Sequence, residues 1–229
     1  MIIRRKLISL LIIAAGALSC APLAMSQAGT SVNEGDWPNI HGDAAARRYS
    51  PLDQINPDNV GDLEIAWNFS TLHFGIGTDY VNPSTPLEVG GVLYANIGST
   101  RNVVALDATN GQVLWLWRYQ EGDRFDEAPR KGAGRGVSYW SDGESARIID
   151  VSPGYQLVSL DAETGIPDPN FGDNGLVDLY VGVRNGEDDR FAYPDIGLSA
   201  PPFVMNDVIV IGAAHRTGGR PRSKFNTKG

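Results

Sequence analysis

The chain has 229 residues with 42% hydrophobic and 20% charged side chains, a formal net charge of −8, one cysteine and three histidines. The apolar share excludes a disordered chain, and the acidic balance argues against a nucleic-acid partner, whose phosphates need a basic patch. One cysteine closes no internal disulfide and builds no thiolate zinc or iron–sulfur site, while 27 glycines and 14 prolines suit many short strands joined by turns.

Residues 1–28 contain no Asp or Glu. Arg4, Arg5 and Lys6 precede an apolar run over 7–18, and small residues lead to Ser26-Gln27-Ala28. That is the layout of a secretory signal peptide over residues 1–28. A short membrane anchor is the other reading, but the run is too short to prefer spanning a core of ~30 Å. Cleavage after Ala28 leaves 16 basic against 27 acidic side chains, a net charge near −11. Cys20, in Ala17-Leu18-Ser19-Cys20, follows a poor lipobox. Processing there would tether the protein through lipid on Cys20, whereas the favoured cleavage after Ala28 leaves a cysteine-free chain. Either route implies export, and a cysteine-free chain suits an oxidising compartment.

Beyond the leader no long stretch carries a helical period. Short β-rich runs recur at 64–69, 92–97, 102–106, 113–118, 146–151, 156–160 and 207–212, separated by Gly, Pro, Asn and Asp. Leu93, Ala95 and Ile97 alternate with Tyr94 and Asn96, as in a half-buried strand. Residues 120–134 and 184–190 are charged and read as loops.

An internal repeat organises these runs. Ala105, Asp107, Gly111 and Trp115 fit A-x-D-x-x-x-G-x-x-x-W, and Asp161 and Gly165 repeat its first half 54 residues later. The physical unit is a strand, a tight turn and a returning strand. The Asp bonds turn amides, the Gly supplies a positive φ, and the Trp packs flat on a neighbouring repeat. Turn-separated strand pairs precede the motif at 86–94 and recur at 202–210. Four strands per repeat of roughly 50–70 residues describe propeller blades. Two coincidental hairpins in a β-sandwich are the alternative.

These segments resemble the pyrroloquinoline quinone (PQQ) dependent dehydrogenases, which are exported eight-bladed propellers. The repeat is similar to that family's tryptophan-docking motif, which the non-catalytic propeller of the outer-membrane barrel assembly machinery also resembles. The opening segment is more specific. Asp36-Trp37-Pro38, Gly42-Asp43, Arg48-Tyr49-Ser50-Pro51-Leu52, Ile55, Asn59-Val60, Leu63 and Ala66-Trp67 resemble the family's N-terminal signature, and Arg135-Gly136-Val137-Ser138-Tyr139-Trp140 resembles a second segment. The resemblance runs from Asp36 to Gly229. It implies an all-β fold, a partial eight-bladed β-propeller in which residues 29–229 hold roughly three to four blades. The end of the chain, 225–229, looks like the approach to a further docking motif, so the sequence reads as the N-terminal part of a longer propeller.

In this family the cofactor is a flat quinone with three carboxylates on the propeller axis, and a divalent cation, usually Ca²⁺, polarises its reactive carbonyl. An Asp accepts the substrate hydroxyl proton as hydride passes to the quinone. Such carboxylates need cationic or hydrogen-bonding partners, and a planar guanidinium suits them best. The resemblance puts Arg135 at the cofactor-contacting arginine. It puts Ser199, in Leu198-Ser199-Ala200-Pro201-Pro202, where a Ser or Thr hydroxyl reaches a cofactor carboxylate. The structural alternatives are a surface arginine in a glycine-rich loop and a turn serine. No catalytic residue is expected within the chain, because the general-base Asp would lie beyond Gly229.

Departures from the family pattern are also informative. The vicinal cysteine pair of alcohol-oxidising members is absent from 128–134. Pro83 and Ser84 precede Thr85-Pro86-Leu87 where many members have Glu. Ala213-Ala214-His215-Arg216 replaces a Gly-Ala-Glu segment, so no metal ligand is assigned. These differences lean toward the sugar- or polyol-oxidising, glucose-dehydrogenase-like branch. The expectation is the N-terminal part of a periplasmic quinoprotein dehydrogenase, inactive at this length alone. It would take PQQ, a divalent cation such as Ca²⁺ and a sugar or alcohol substrate, and would pass electrons to a respiratory acceptor, ubiquinone or cytochrome c. The alternative is a non-catalytic exported propeller serving as a protein-binding scaffold. Trp37, Trp67, Trp117 and Trp140 read as core or blade-interface residues, His215 as an exposed loop residue, and Glu187-Asp188-Asp189 as a solvated loop.

Overall fold

The runs rich in β-branched and aromatic side chains pair as antiparallel strands in the computed structural model, which describes residues 33–75, 81–182 and 196–215. The leader with Cys20, the acidic run 187–189 and the side chain of His215 lie outside the described residues. Strands β1 (Leu87–Val89), β2 (Val92–Ile97), β3 (Asn102–Asp107) and β4 (Val113–Trp117) form one four-stranded sheet in sequential order. A short helix α1 (Asp123–Glu127) follows. Strands β5 (Ser138–Ser141), β6 (Ala146–Val151), β7 (Gln156–Asp161) and β8 (Leu176–Asp178) then repeat the arrangement. A third unit begins with β9 (Ile196–Gly197) paired to β12 (Ala214–His215), and β10 (Phe203–Met205) paired to β11 (Val208–Val210). The described residues thus hold two complete blades and the opening of a third. The expected three to four takes in 183–195 and 216–229, which lie outside them.

Three local expectations differ from the structure. Residues 64–69 are extended but join no ladder. The 120–134 loop contains α1, and the short strands β5 and β8 lie outside the expected runs. In β2 the buried positions include Tyr94 and Asn96, while Leu93 and Ala95 are half-buried. A blade packed on both faces explains this, because alternation then no longer separates core from solvent.

Packing follows the two-residue period of each strand. Val103 and Ile148 meet in a core between the first two blades, with Leu87, Tyr94, Val137, Val158 and Leu160. Their neighbours point the other way. Ile149 faces the third unit with Val151, Leu157, Ile196 and Leu198. Val104 faces Trp67, Phe69 and Phe74. The unladdered segment after Ile65 therefore covers the open face of the first blade with aromatic rings. Each fully buried aliphatic side chain here contributes about 1.5–3 kcal/mol relative to exposure.

The repeat turns join blade to blade. Asp107 accepts from the Thr109 amide at 2.8 Å and from Asn110 Nδ2 at 3.1 Å, and its own carbonyl accepts from Gly111 N at 2.8 Å. Asp161 accepts from Thr164 N at 2.9 Å and Thr164 Oγ1 at 2.8 Å, and its carbonyl from Gly165 N at 2.8 Å. Trp115 spans the blades, its Nε1 donating to Ala162 O at 2.9 Å. Trp67 docks in the same way on the first turn, Nε1 to Ala108 O at 3.0 Å. Gly111 and Gly165 have φ of 74° and 71°. A Cβ on either would lie 2.5 Å from the docked indole, so both the backbone shape and the close approach require glycine. Ala105 is fully buried and lies opposite Trp115 in the β3–β4 register.

Candidate functional site

Strand direction decides which loops share an end of the molecule. β1, β3, β5 and β7 run toward the repeat turns, and β2, β4, β6 and β8 run away from them. The opposite end therefore gathers the starts of β1 and β5, the β2–β3 and β6–β7 turns, and the chain leaving β4. Arg135 and Ser199 both lie there, 64 residues apart in sequence.

The structure brings these two residues together through the backbone. Arg135 N donates to Ser199 O at 2.8 Å, and Arg135 O accepts from Thr85 N at 3.1 Å. Thr85, Arg135 and Ser199 stand two, three and four residues before β1, β5 and β10. Each blade thus contributes one rung to a continuous chain of hydrogen bonds. The Arg135 guanidinium is exposed, Ser199 is half-buried, and among the described residues no side chain engages either group.

Beneath this rung lies a buried polar layer that sequence reasoning missed. Gly136 N donates to Asn96 Oδ1 at 3.2 Å, and Asn96 Nδ2 donates to Asp150 Oδ2 at 2.8 Å. Asn96 N in turn donates to Ser84 Oγ at 3.2 Å. Burial pushes the Asp150 carboxyl up to about 6, with Arg101 opposing the rise. Arg101 is itself buried and is held by carbonyls of three segments. Glu121 is raised by burial too, although Ser152 Oγ at 2.6 Å and Gly154 N at 3.0 Å donate to it. The available signal was polar side chains inside apolar strands: Asn96 within Leu93-Tyr94-Ala95-Asn96-Ile97, and Asp150 within Ile148-Ile149-Asp150-Val151.

Chemically, an unengaged guanidinium and a hydroxyl on adjoining rungs suit an anion with planar carboxylates, which Arg binds through two parallel hydrogen bonds. Among the described residues no three His, Cys, Asp or Glu side chains cluster to hold a metal ion.

Comparison with known proteins identifies the family. Residues 37–227 match the family model described as the PQQ glucose/ethanol/alcohol dehydrogenase β-propeller domain. The chain is 30% identical over 204 residues to the glycerol dehydrogenase large subunit of Gluconobacter thailandicus, covering 84% of this chain and 26% of that protein. A quinohemoprotein alcohol dehydrogenase from Pseudomonas putida HK5 superposes with a TM-score of 0.58 at 27% identity, over 80% of this chain and 23% of that one. A europium-containing methanol dehydrogenase superposes with a TM-score of 0.54 at 26% identity, over 80% and 28% of the respective chains. The chain spans about a quarter of the length of these relatives. With a family model matching most of its length and blades built around docked tryptophans, the chain belongs to the PQQ-dependent glucose/ethanol/alcohol dehydrogenase β-propeller family.

Proposed function

We propose that these blades serve a dehydrogenase that holds PQQ over the Arg135–Ser199 end and oxidises an alcohol, polyol or sugar. The observation that supports this reading is the Arg135 N to Ser199 O bond, which joins the backbones of the two residues at one end of successive blades. When bound, the quinone supplies the acceptor for hydride from the substrate carbinol. This chain's residues bind and orient it. Arg135 offers a charge-assisted fork to a carboxylate, and Ser199 offers one further donor. The rung of backbone bonds joins their main chains without spending either side chain. The lean toward sugars and polyols rests on the missing cysteine pair in 128–134. The name of the glycerol dehydrogenase relative supports a polyol as one such substrate.

The same reading includes export to the periplasm, directed by the Arg4–Arg5–Lys6 leader, and a hard cation beside the quinone. The family resemblance implies Ca²⁺ as that cation, and a solved neighbour is described as containing europium. Electrons would leave to ubiquinone or cytochrome c. The test is a PQQ titration of the protein expressed from its own gene. Arg135→Ala should weaken binding tenfold to a hundredfold, since a hydrogen bond to a charged group is worth ~1.5–3 kcal/mol. Arg135→Lys should recover part of it, restoring charge without the fork. Melting should shift little, because the side chain is exposed. Unchanged PQQ affinity in Arg135→Ala would remove this residue from the site.

A further inference from the structure

A buried guanidinium is costly to desolvate unless its donors are met. Arg101 is 3% exposed. Its four hydrogen bonds all end on backbone carbonyls. Nε donates to Gly132 O at 3.2 Å, Nη2 to Arg130 O at 2.7 Å, and Nη1 to Val151 O at 2.8 Å and Leu198 O at 2.6 Å. These acceptors come from three separate places: the loop that leads into Arg135, the end of β6, and the residue before Ser199. One side chain from the first blade therefore ties down both segments that carry the proposed cofactor contacts.

The fit leaves little slack. Gly134 has φ of 79°, and a Cβ there would lie 3.0 Å from Arg101 Nε. The loop thus rests directly on the guanidinium. A planar fork with fixed donor directions sets several acceptor positions at once, which a flexible ammonium does not. The carboxylates whose fields reach Arg101 are Asp150 and Glu121, and Asp150 also anchors Asn96, which receives the Gly136 amide.

We propose that Arg101 is a positioning residue, whose four-carbonyl clamp sets the spacing between Arg135 and Ser199 and thereby the affinity of this end for a carboxylate-bearing quinone. Arg101 is buried behind the rung and acts through it. The ligand rests on the PQQ reading above, whereas the clamp does not.

The experiment uses Arg101→Lys and Arg101→Gln in the protein expressed from its own gene. Lys keeps the charge and loses the fork, and Gln loses the charge and keeps a single short donor. Two readouts are taken on each, peptide-level hydrogen exchange without cofactor and titration with PQQ. Peptides covering 130–137 and 196–203 should exchange at least tenfold faster in both variants. Those covering 102–107 and 156–161 should be unchanged, and PQQ should bind at least tenfold more weakly. Unaltered exchange in the first two peptides would overturn the clamp. Uniformly faster exchange, or failure of both variants to fold, would also overturn it by making Arg101 a general support of the blades. Loosened peptides with unchanged PQQ affinity would overturn the link to the ligand. If the unmutated protein fails to bind PQQ, the functional reading falls, and the exchange measurement still decides the clamp.

Discussion

At the repeat turns Asp107 and Asp161 satisfy their own backbones within five residues, whereas at the opposite end Arg101 reaches carbonyls 29 to 97 residues away. Both ends join one blade to the next. The turn end does so with a self-contained motif that presents a flat glycine surface to an indole. The other end does so with a buried charge shared among segments from three blades. A self-contained motif can be copied from blade to blade, while a shared charge is specific to its place.

That contrast can be broken most forcefully at the indole. Trp115→Ala removes the ring between the blades and its bond to Ala162 O. It should cost about 3 kcal/mol, the low end for a buried aromatic because the ring is only partly buried, as read by denaturant unfolding. A loss under 1 kcal/mol would mean that the turn is not what holds the blades together.

A glycine pair then separates backbone strain from close approach. Gly165 and Gly143 both have positive φ, at 71° and 94°. A Cβ meets the Trp115 ring at 2.5 Å in the first and nothing within 4 Å in the second. Gly143→Ala should cost about 1 kcal/mol from strain alone, and Gly165→Ala roughly 2 kcal/mol or more. Equal losses would show that the indole yields freely.

The smallest expected effect is in pH dependence, where the two ends have opposite signs. The Thr109 hydroxyl and amide hold Asp107 below the usual carboxylate range, so its contribution is present above the unfolded value of 3.8 and lost as pH falls. Asp150 is the reverse. Raised to about 6 by burial, it keeps a proton in the fold that the unfolded chain has already released. Its contribution is full below 3.8 and disappears as pH rises through 6, and Glu121 acts in the same direction. Asp150→Asn should therefore flatten the decline in stability between pH 4 and 6 and leave the acid limb unchanged. Chemical denaturation across that range measures it, and an unaltered slope would show that Asp150 ionises normally.

The same contrast explains what the sequence disclosed. The repeat turns were legible because every interaction that shapes them lies within a few residues, and Asp, Thr and Gly at fixed offsets have one physical use. Arg135 and Ser199 were singled out only through family resemblance, since nothing local distinguishes them from a surface arginine and a turn serine. Asn96, Arg101 and Asp150 were not legible. Arg101 reaches carbonyls 29 to 97 residues away and Asn96 meets Asp150 across 54, and only assembled blades show that a polar side chain in an apolar strand has been met. Residues 64–69 misled for a related reason. Strand-like composition reports burial as much as pairing, and this segment lies on a sheet face without entering its ladder.

The rungs at Thr85, Arg135 and Ser199 are separated by 50 and then 64 residues of chain, yet they hydrogen-bond consecutively. Insertions are thus accommodated away from the rungs, and the meeting point at this end is indifferent to how long each repeat has grown. Such an architecture can lengthen or exchange its peripheral loops while the backbone spacing between successive blades at this end stays calibrated.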